Sequence, residues 1–562
     1  MKRVKTAALV TAALCAAVFL LALATLPPAA AHLEAPAKAG SNRTVPGAFH
    51  VHTRRSDGSG TVEQVAEAAA RSGLRFVIFA DHGDATRIDP PVYHSGVLCI
   101  DGVEVSADAG HFIGIGMRPS PYPLGGEGRD VIEDVARLGG FGVVAHPDSP
   151  KPALRWREWG VPVDAIEWLN ADSEWRERPY LQLAHTMLEY PFRSPESIAS
   201  LFSRPDRTLA RWDTMTRQRR VVALAGADAH ARIGFAREEA PYKGGVSLHL
   251  PSYEAMFRTF AIRVELDRPL TGGAGADARA VRDAIAAGHV YTAIDALATP
   301  PVFDFSATSG SFEAREGDFL QLSGPITVRA GVNAPRSTVV LLENGRTVAT
   351  AKSRIEYRAQ PGNAVFRVEV TMPGAPGSPP VPWIVSNPIY AGGLIDPRVA
   401  AVRRQAREYA PLAMATGEWA GEHDKSSTIS IKQSSNNSLT VVYRLGGGPR
   451  GNQSIALAQR IASLGEFDRL QFRVSSARPM RLSVQLRADA SAGGPRWQRS
   501  VYVDSAPRDV TVFLDDVRPA GSTPSWQPDR STIGSLLFVV DTINARPGTA
   551  GSFTLENVRW GR

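Results

Sequence analysis

The sequence predicts an α/β domain with a largely parallel sheet, followed by two all-β sandwiches. Two changes of texture and the composition carry this reading. From about Val45 to Ala298, short apolar runs alternate with helical patterns, the signature of strands joined by crossover helices. After Pro300-Pro301 the helical patterns stop and period-2 strands replace them. The chain has 562 residues, 43% of them hydrophobic and 21% charged, enough to bury several cores and too apolar for general disorder.

The N-terminus reads as an export leader. Met1 to Lys5 is basic, Thr6 to Leu26 is uncharged, and Pro27-Pro28 leads to Ala29-Ala30-Ala31, a small-residue cleavage site. A cleaved signal over residues 1–31 is expected, with a periplasmic or secreted body. The alternative is an uncleaved membrane anchor, since about 20 apolar residues span a bilayer. The formal net charge is +7, and Lys2, Arg3 and Lys5 supply three of the positive charges. Residues 1–31 hold no acid, so the remainder carries 60 basic against 56 acidic residues. That balance is too weak and dispersed for a nucleic-acid partner. Cys15 lies in the leader and only Cys99 lies beyond it, which excludes a disulfide framework, an Fe–S cluster and a thiolate zinc site.

In the α/β part, seven runs read as strands: 47–51, 76–80, 97–105, 111–117, 142–145, 165–169 and 221–225. Thr61 and Gln64 form a capping box for a helix whose apolar stripe is Val62, Val65, Ala66 and Ala69, stopped by Gly73. Residues 130–138 repeat the pattern, and 277–287 closes the domain with Gly288 after it. The first sandwich is expected over 301–393, with strands at 327–330, 338–342 and 364–370 and a Pro/Gly-rich loop at 373–382. A helix-like link at 397–409 precedes a second, jelly-roll-like sandwich over 416–562.

Chemistry-bearing residues collect at the strand ends. His50 and His52 end the first strand and Asp57 follows in Ser56-Asp57-Gly58. Asp81 and His82 end the second, Glu104 falls at the end of the third, and His111 opens the fourth. His146 follows the fifth, Asn170 the sixth, and Asp228 and His230 the seventh. In a barrel of parallel strands these ends converge on one face. Imidazole nitrogen and carboxylate oxygen are ligands for zinc, iron or manganese, and His50-x-His52 directs both rings to one side of a strand.

The series His50-x-His52-Thr53-x-x-Ser56-Asp57-Gly58, Asp81-His82-Gly83-Asp84, Glu104, His111, His146-Pro147 and Asp228-x-His230 resembles the polymerase and histidinol phosphatase (PHP) superfamily over about residues 44–298. The resemblance implies a distorted seven-stranded β/α barrel and two to three divalent transition metals. His50, His52, Glu104 and Asp228 would hold one; Asp57, His82 and His230 a second; Glu104, His111 and His146 a third. Asp57 departs from members that use His there. Asp81 and Asp84 would orient imidazoles. The export leader, the trailing β-domains, His289-Val290-Tyr291-Thr292-Ala293 and Pro382-Trp383-Ile384-Val385-Ser386-Asn387-Pro388 are similar to the carbaryl-hydrolase-like branch.

Leader and ligand set together imply an exported hydrolase whose cations bridge a hydroxide and lower its pKa toward neutrality, for attack on phosphorus or a carbonyl carbon. A phosphoester is favoured; a carboxyl ester or carbamate is the alternative, and an inactive cell-surface glycan-binding protein the rival from another class. Asp148 is a candidate to protonate a leaving group, and Asn170 to bond substrate or a water. Arg54, Arg55, Lys151 and Arg232 are candidate anion binders. Trp156, Trp159, Trp168 and Trp175 either wall a pocket or pack the insert. Trp497, Trp526 and Trp560 suggest a glycan site in a domain similar to galactose-binding jelly rolls, against ordinary core packing. His94, His185, His249, His289 and His423 have no constellation around them and read as structural.

Overall fold

The computed structural model describes residues 2–34, 43–234, 247–248, 250–396, 403, 405–488, 494–521, 523 and 525–562. The chain divides into two compact units. The first is 1–83, 88–118 and 135–398, and the second is 84–87, 119–134 and 399–562.

The first unit begins with α1 (Lys2–Thr25) and β1 (Ala31–His32). Then come β2 (Thr44–Val51), α2 (Val62–Arg71), β3 (Phe76–Phe79), β4 (Val92–His94), β5 (Val97–Ala107) and β6 (Gly110–Ile115). Past α3 (Gly128–Arg137) lie β7 (Phe141–Val144), β8 (Ala165–Asn170) and an insert of four helices. These are α4 (Ala171–Arg176), α5 (Tyr180–Glu189), α6 (Ser194–Ala199) and α7 (Asp206–Gln218), and β9 (Val222–Gly226) follows. The capping box at Thr61 and Gln64 is present in both directions.

The sheet runs β2-β3-β5-β6-β7-β8-β9. β2, β3 and β5 are mutually parallel, as are β7, β8 and β9. β6 is antiparallel to both neighbours. That reversal is why His111 serves the shared end from the start of its strand while the other site residues serve from the ends of theirs. Beyond β9 the chain returns to β2: Ala227 N donates to Phe49 O, and His52 N to Ala229 O. Every residue of β3, β6, β7, β8 and β9 is buried.

Past β9 the chain adds two two-residue strands, β10 (Ile233–Gly234) and β11 (Ser247–Leu248), and then α8 (Tyr253–Thr259). Two strands the sequence pattern did not isolate come next. They are β12 (Ala261–Glu265) and β13 (Val290–Ala293), separated by α9 (Ala274–Ala287). α9 is closed by Gly288 in the left-handed region at φ 84°. β12 pairs with β2, and β13 pairs with Ile384–Ser386. The sheet therefore continues from the α/β part into strands of the 301–393 region, which packs Phe303, Val328, Leu341, Phe366 and Trp383 into one core.

The second unit has two six-stranded antiparallel sheets that share one core, built by Leu439, Val441, Phe472 and Phe553 from one sheet and Leu457, Leu482, Leu486 and Phe538 from the other. The helix-like link expected at 397–409 is corrected where it is described. Residues 403 and 405–408 are not helical, and Tyr409–Pro411 forms a strand. The rest of that link, and His249, lie outside the described residues.

Candidate metal centre

Glu104 is the hub. Its side chain is 1% exposed and faces five imidazoles. Oε1 lies 2.8 Å from His111 Nδ1 and 2.9 Å from His146 Nε2. Oε2 lies 3.2 Å from His82 Nδ1 and 3.4 Å from both His50 Nε2 and His52 Nε2. Asp228 Oδ1 approaches His52 Nε2 at 3.2 Å and His50 Nε2 at 3.4 Å. Asp57 completes the far side, 3.4 Å from His52 Nδ1, 3.3 Å from His230 Nε2 and 3.7 Å from His82 Nε2. All nine expected ligands thus meet in one cluster. Side chains able to share a cation group as His50, His52 and Asp228; as His52, Asp57, His82 and His230; and as His82, Glu104 and His111. Besides the expected neighbours, His52 also faces Asp57, and Glu104 has His82 on Oε2 as well as His111 and His146 on Oε1.

The donor set fits divalent cations. His50 Nε2 and His52 Nε2 sit 3.1 Å apart, two imidazole nitrogens turned on the same point. His82 Nδ1 is buried without a hydrogen-bond partner. Nitrogen and carboxylate donors without thiolate suit zinc, manganese or iron.

Local backbone geometry aims these groups. His50, His146 and Asp228 all have positive φ, at 63°, 29° and 44°. Non-glycine residues rarely occupy that region, and it turns each side chain out of its strand line. Gly58 is needed in Ser56-Asp57-Gly58, because a Cβ there would lie 2.3 Å from the His52 carbonyl oxygen.

Charge is balanced inside the cluster. Burial works against the Glu104 carboxylate, yet the surrounding imidazoles, His50 foremost, hold it well below the usual range. Asp57 and Asp228 are depressed in the same way. Burial disfavours the imidazolium of His146 and of His230, but their carboxylate partners raise them to about 9 and about 10. His82 is the exception: burial wins and its pKa is lowered.

Two positioning residues escaped the sequence reading. Glu167, 1% exposed in the middle of β8, receives His50 Nδ1 at 2.6 Å, the backbone N–H of His146 at 2.6 Å and Asn170 Nδ2 at 2.8 Å. Its signal was present, an acid inside the apolar run Ala165-Ile166-Glu167-Trp168-Leu169. Tyr253 donates its hydroxyl to the His52 carbonyl at 2.7 Å, from a helix some 200 residues away, and no local motif marks it.

The other candidates fall differently. Asn170 is at the centre, but its amide is engaged: Nδ2 donates to Glu167 and to Asp228 Oδ2 at 3.1 Å, and Oδ1 caps α4. It positions Asp228. Asp148 accepts from Thr208 at 2.7 Å and pairs with Arg211 at 3.1 Å, so it fastens α7. Asp81 grips Thr53 N and Oγ1, each at 2.7 Å, and Ser56 Oγ at 2.6 Å, fixing the loop that carries Asp57, and that Ser56 Oγ lies 3.4 Å from His52 Nδ1. Asp84 accepts from the backbone and hydroxyl of Thr86.

Arg55 is spent on Asp81, Asp89 and Asp101, and Arg54 donates to Ser59 O. Lys151 is exposed, while Arg232, two residues past His230, is half-buried. Trp156 and Trp168 are core residues, Trp168 donating to Thr292. Trp159 lies under Arg211, and Trp175 bonds Asp172. In the second unit Trp497 and Trp560 are buried and Trp526 is 65% exposed.

No family model matches the sequence, and no curated protein matches it. Among solved structures, the chain is similar to a two-domain protein of Bacteroides vulgatus containing a predicted PHP-like metal-dependent phosphoesterase. The identity is 14%, covering 65% of this chain and 98% of that one, with a TM-score of 0.29. It is also similar to the family 11 carbohydrate-binding module of the Clostridium thermocellum cellulase Lic26A-Cel5E, at 17% identity over 28% of this chain and 97% of that one, TM-score 0.23. TM-scores of this size do not establish a shared fold; the chemistry of the site rests on its own side chains.

Proposed function

We propose that the protein is a metal-dependent hydrolase of the PHP type, exported from the cytoplasm, with a phosphoester as its favoured substrate. One observation carries the reading: six imidazoles and three carboxylates, drawn from residues 50 to 230, gather in one cluster about the buried Glu104. We read the seven strands, with the return of 227–229 to β2, as the distorted barrel the motif implies.

His50, His52, Asp57, His82, Glu104, His111, His146, Asp228 and His230 would hold two or three divalent cations. Such cations supply Lewis acidity at a substrate oxygen and bring the pKa of a water toward neutrality. The chain's part is to hold the ligands in register. Glu104 joins the subsites through its two oxygens, Glu167 fixes the His50 ring, Asn170 fixes Asp228, and Asp81 fixes the Thr53–Asp57 loop. Arg232, two residues past His230 and half-buried, is a candidate to meet a substrate anion.

Elemental analysis of the purified chain tests this beside a panel of p-nitrophenyl phosphate, bis-p-nitrophenyl phosphate, and 1-naphthyl esters and carbamates. Two to three transition metals per chain and turnover of a phosphoester are expected, both lost in Asp228→Ala and His146→Ala. Turnover of the naphthyl substrates alone would move the assignment to a carboxyl-ester or carbamate hydrolase. Activity in metal-free, chelator-indifferent protein would overturn it. Inactive protein that captures glycans through residues 416–562 would favour the binding-protein rival, for which the exposed Trp526 is the available side chain.

A further inference from the structure

The stretch expected to be cut away with the leader is built into the first unit. Ala31 and His32 pair in parallel with Ala298 and Thr299. Ala30 N donates to Glu196 Oε1 at 3.2 Å, and the Pro27 carbonyl accepts from Arg193. Ala31 N donates to Leu297 O at 3.0 Å, and Leu33 N to Thr299 O at 2.9 Å. Cleavage after Ala31 would discard all of these contacts except the His32–Thr299 pairing and the Leu33 N to Thr299 O bond.

α1 enters this seam and packs beside α5, with Phe19 edge-on to Phe192 at 5.6 Å between centroids. Most of α1 is uncovered: Leu9 is 72% exposed, Leu14 62% and Leu20 63%. α5 is inverted for a helix on a water-facing surface. It buries Thr186 and Glu189, and turns outward Tyr180, Leu181, Ala184, Met187 and Leu188, a helical stripe that Phe192 continues. Tyr180 and Leu181 are almost wholly exposed, and α5 contains no Lys, Arg or Asp. Among the described residues no helix is long and apolar enough to cross a membrane. The described side chains of α1 are only part of it: the helix runs 24 residues, about 36 Å at 1.5 Å each, against a hydrocarbon core of about 30 Å.

We infer that α1 is retained as a membrane anchor and that the outward stripe of α5 lies in the surface of the same bilayer. Two features point to lipid as the occupant. The stripe is continuous with an apolar helix most of whose described side chains are exposed, and an aromatic residue begins it as at a membrane–water boundary.

The test uses the full chain with Cys15→Ala, in vesicles of phosphatidylethanolamine and phosphatidylglycerol. Intact mass of the membrane-extracted protein should show residues 1–31 still attached. A polarity-sensitive dye on Leu181→Cys should shift to the blue on incorporation and be quenched by nitroxide-bearing lipid, while the same dye on Phe312→Cys, on the β-region, stays unquenched. A mature chain that begins at His32 overturns the anchor. An intact leader with no quenching at position 181 overturns the interfacial role of α5. Protection of position 181 that grows with protein concentration in detergent and is indifferent to lipid assigns the stripe to a second copy of the chain, which also overturns it.

Discussion

Glu167 Oε1 stands 2.6 Å from Nδ1 of His50, and the same carboxylate receives the backbone N–H of His146 on its other oxygen. One buried acid thus sets the tautomer of the first histidine in the cluster and the strained turn of another. An imidazole whose Nδ1–H is held by a carboxylate presents Nε2 as a lone pair, the form a cation requires. Glu167→Gln keeps the shape and weakens this acceptor. It should lower metal affinity or turnover about 10–100-fold while the thermal midpoint stays near wild type. Gly226→Ala approaches the same acid from outside, since its Cβ would lie 1.8 Å from Glu167 Oε1. It should reproduce the metal defect with a loss of stability added. Wild-type metal content in Glu167→Gln would remove the positioning role.

Cation binding should be readable without any substrate. A ligand that binds only the folded chain stabilises it by about 2.7 kcal/mol at a hundred times its Kd. Chelator-treated protein should melt at a higher temperature on adding Zn²⁺ or Mn²⁺. Glu104→Gln should lose most of that rise, because Glu104 is the one carboxylate that faces His111 and His146 as well as His50, His52 and His82. An equal rise in both proteins would place the binding elsewhere.

Most of the ligands were legible because they sit at or just past a strand end, where periodicity marks the strand and the polar residue interrupts it, though Glu104 lies inside β5 and Asp57 in the loop after β2. His111 was legible as a residue, but the reversal of β6 was not, since strand direction depends on which neighbours pair and not on local pattern. Glu167 was hidden by its setting in an apolar run, where an acid reads as an exception and not as a ligand holder. Tyr253, Arg367 and the β13 pairing with 384–386 depend on contacts between segments roughly 90 to 200 residues apart, about which local pattern is silent. The leader was read from its local pattern, and local pattern cannot show that Pro27 to Leu33 lies against a folded body.

Glu316 gives a pH dependence of known sign. It is 2% exposed, and among the described residues neither carboxylate oxygen has a well-formed hydrogen bond. Burial, and after it the charge of Glu265, hold its pKa well above the ordinary value, with the Asn387 backbone and Arg315 pulling weakly the other way. The folded chain therefore binds this proton more tightly than the unfolded chain. The associated stability is complete below about pH 4.3, the unfolded value, and is lost as pH rises through the folded pKa. Glu316→Gln carries no such loss. Urea midpoints should nearly coincide near pH 4 and separate in favour of the variant toward neutrality; a gap that stays constant with pH would refute the assignment.

Arg367 tests what holds the helical insert to the β-region. Its side chain is 2% exposed, yet it carries a full charge. Nε and Nη2 meet Asp213 of α7 at 2.5 and 2.8 Å, and Nη1 meets Glu369 at 2.6 Å. Arg204 closes the network with two 2.8 Å bonds to Glu369. Desolvating such a group is costly, and the pair offsets that cost only while both partners remain. Asp213→Ala leaves a buried guanidinium with one carboxylate, shared with Arg204, and should cost about 3–5 kcal/mol in unfolding free energy. Arg367→Met alone should be similarly harmful, because Asp213 is then left facing a thioether. The double variant Arg367→Met with Asp213→Leu removes charge and counter-charge together, and should be more stable than either single change. Additive losses in that double-mutant cycle would mean that the two side chains act independently, and that packing, not charge pairing, fastens α7.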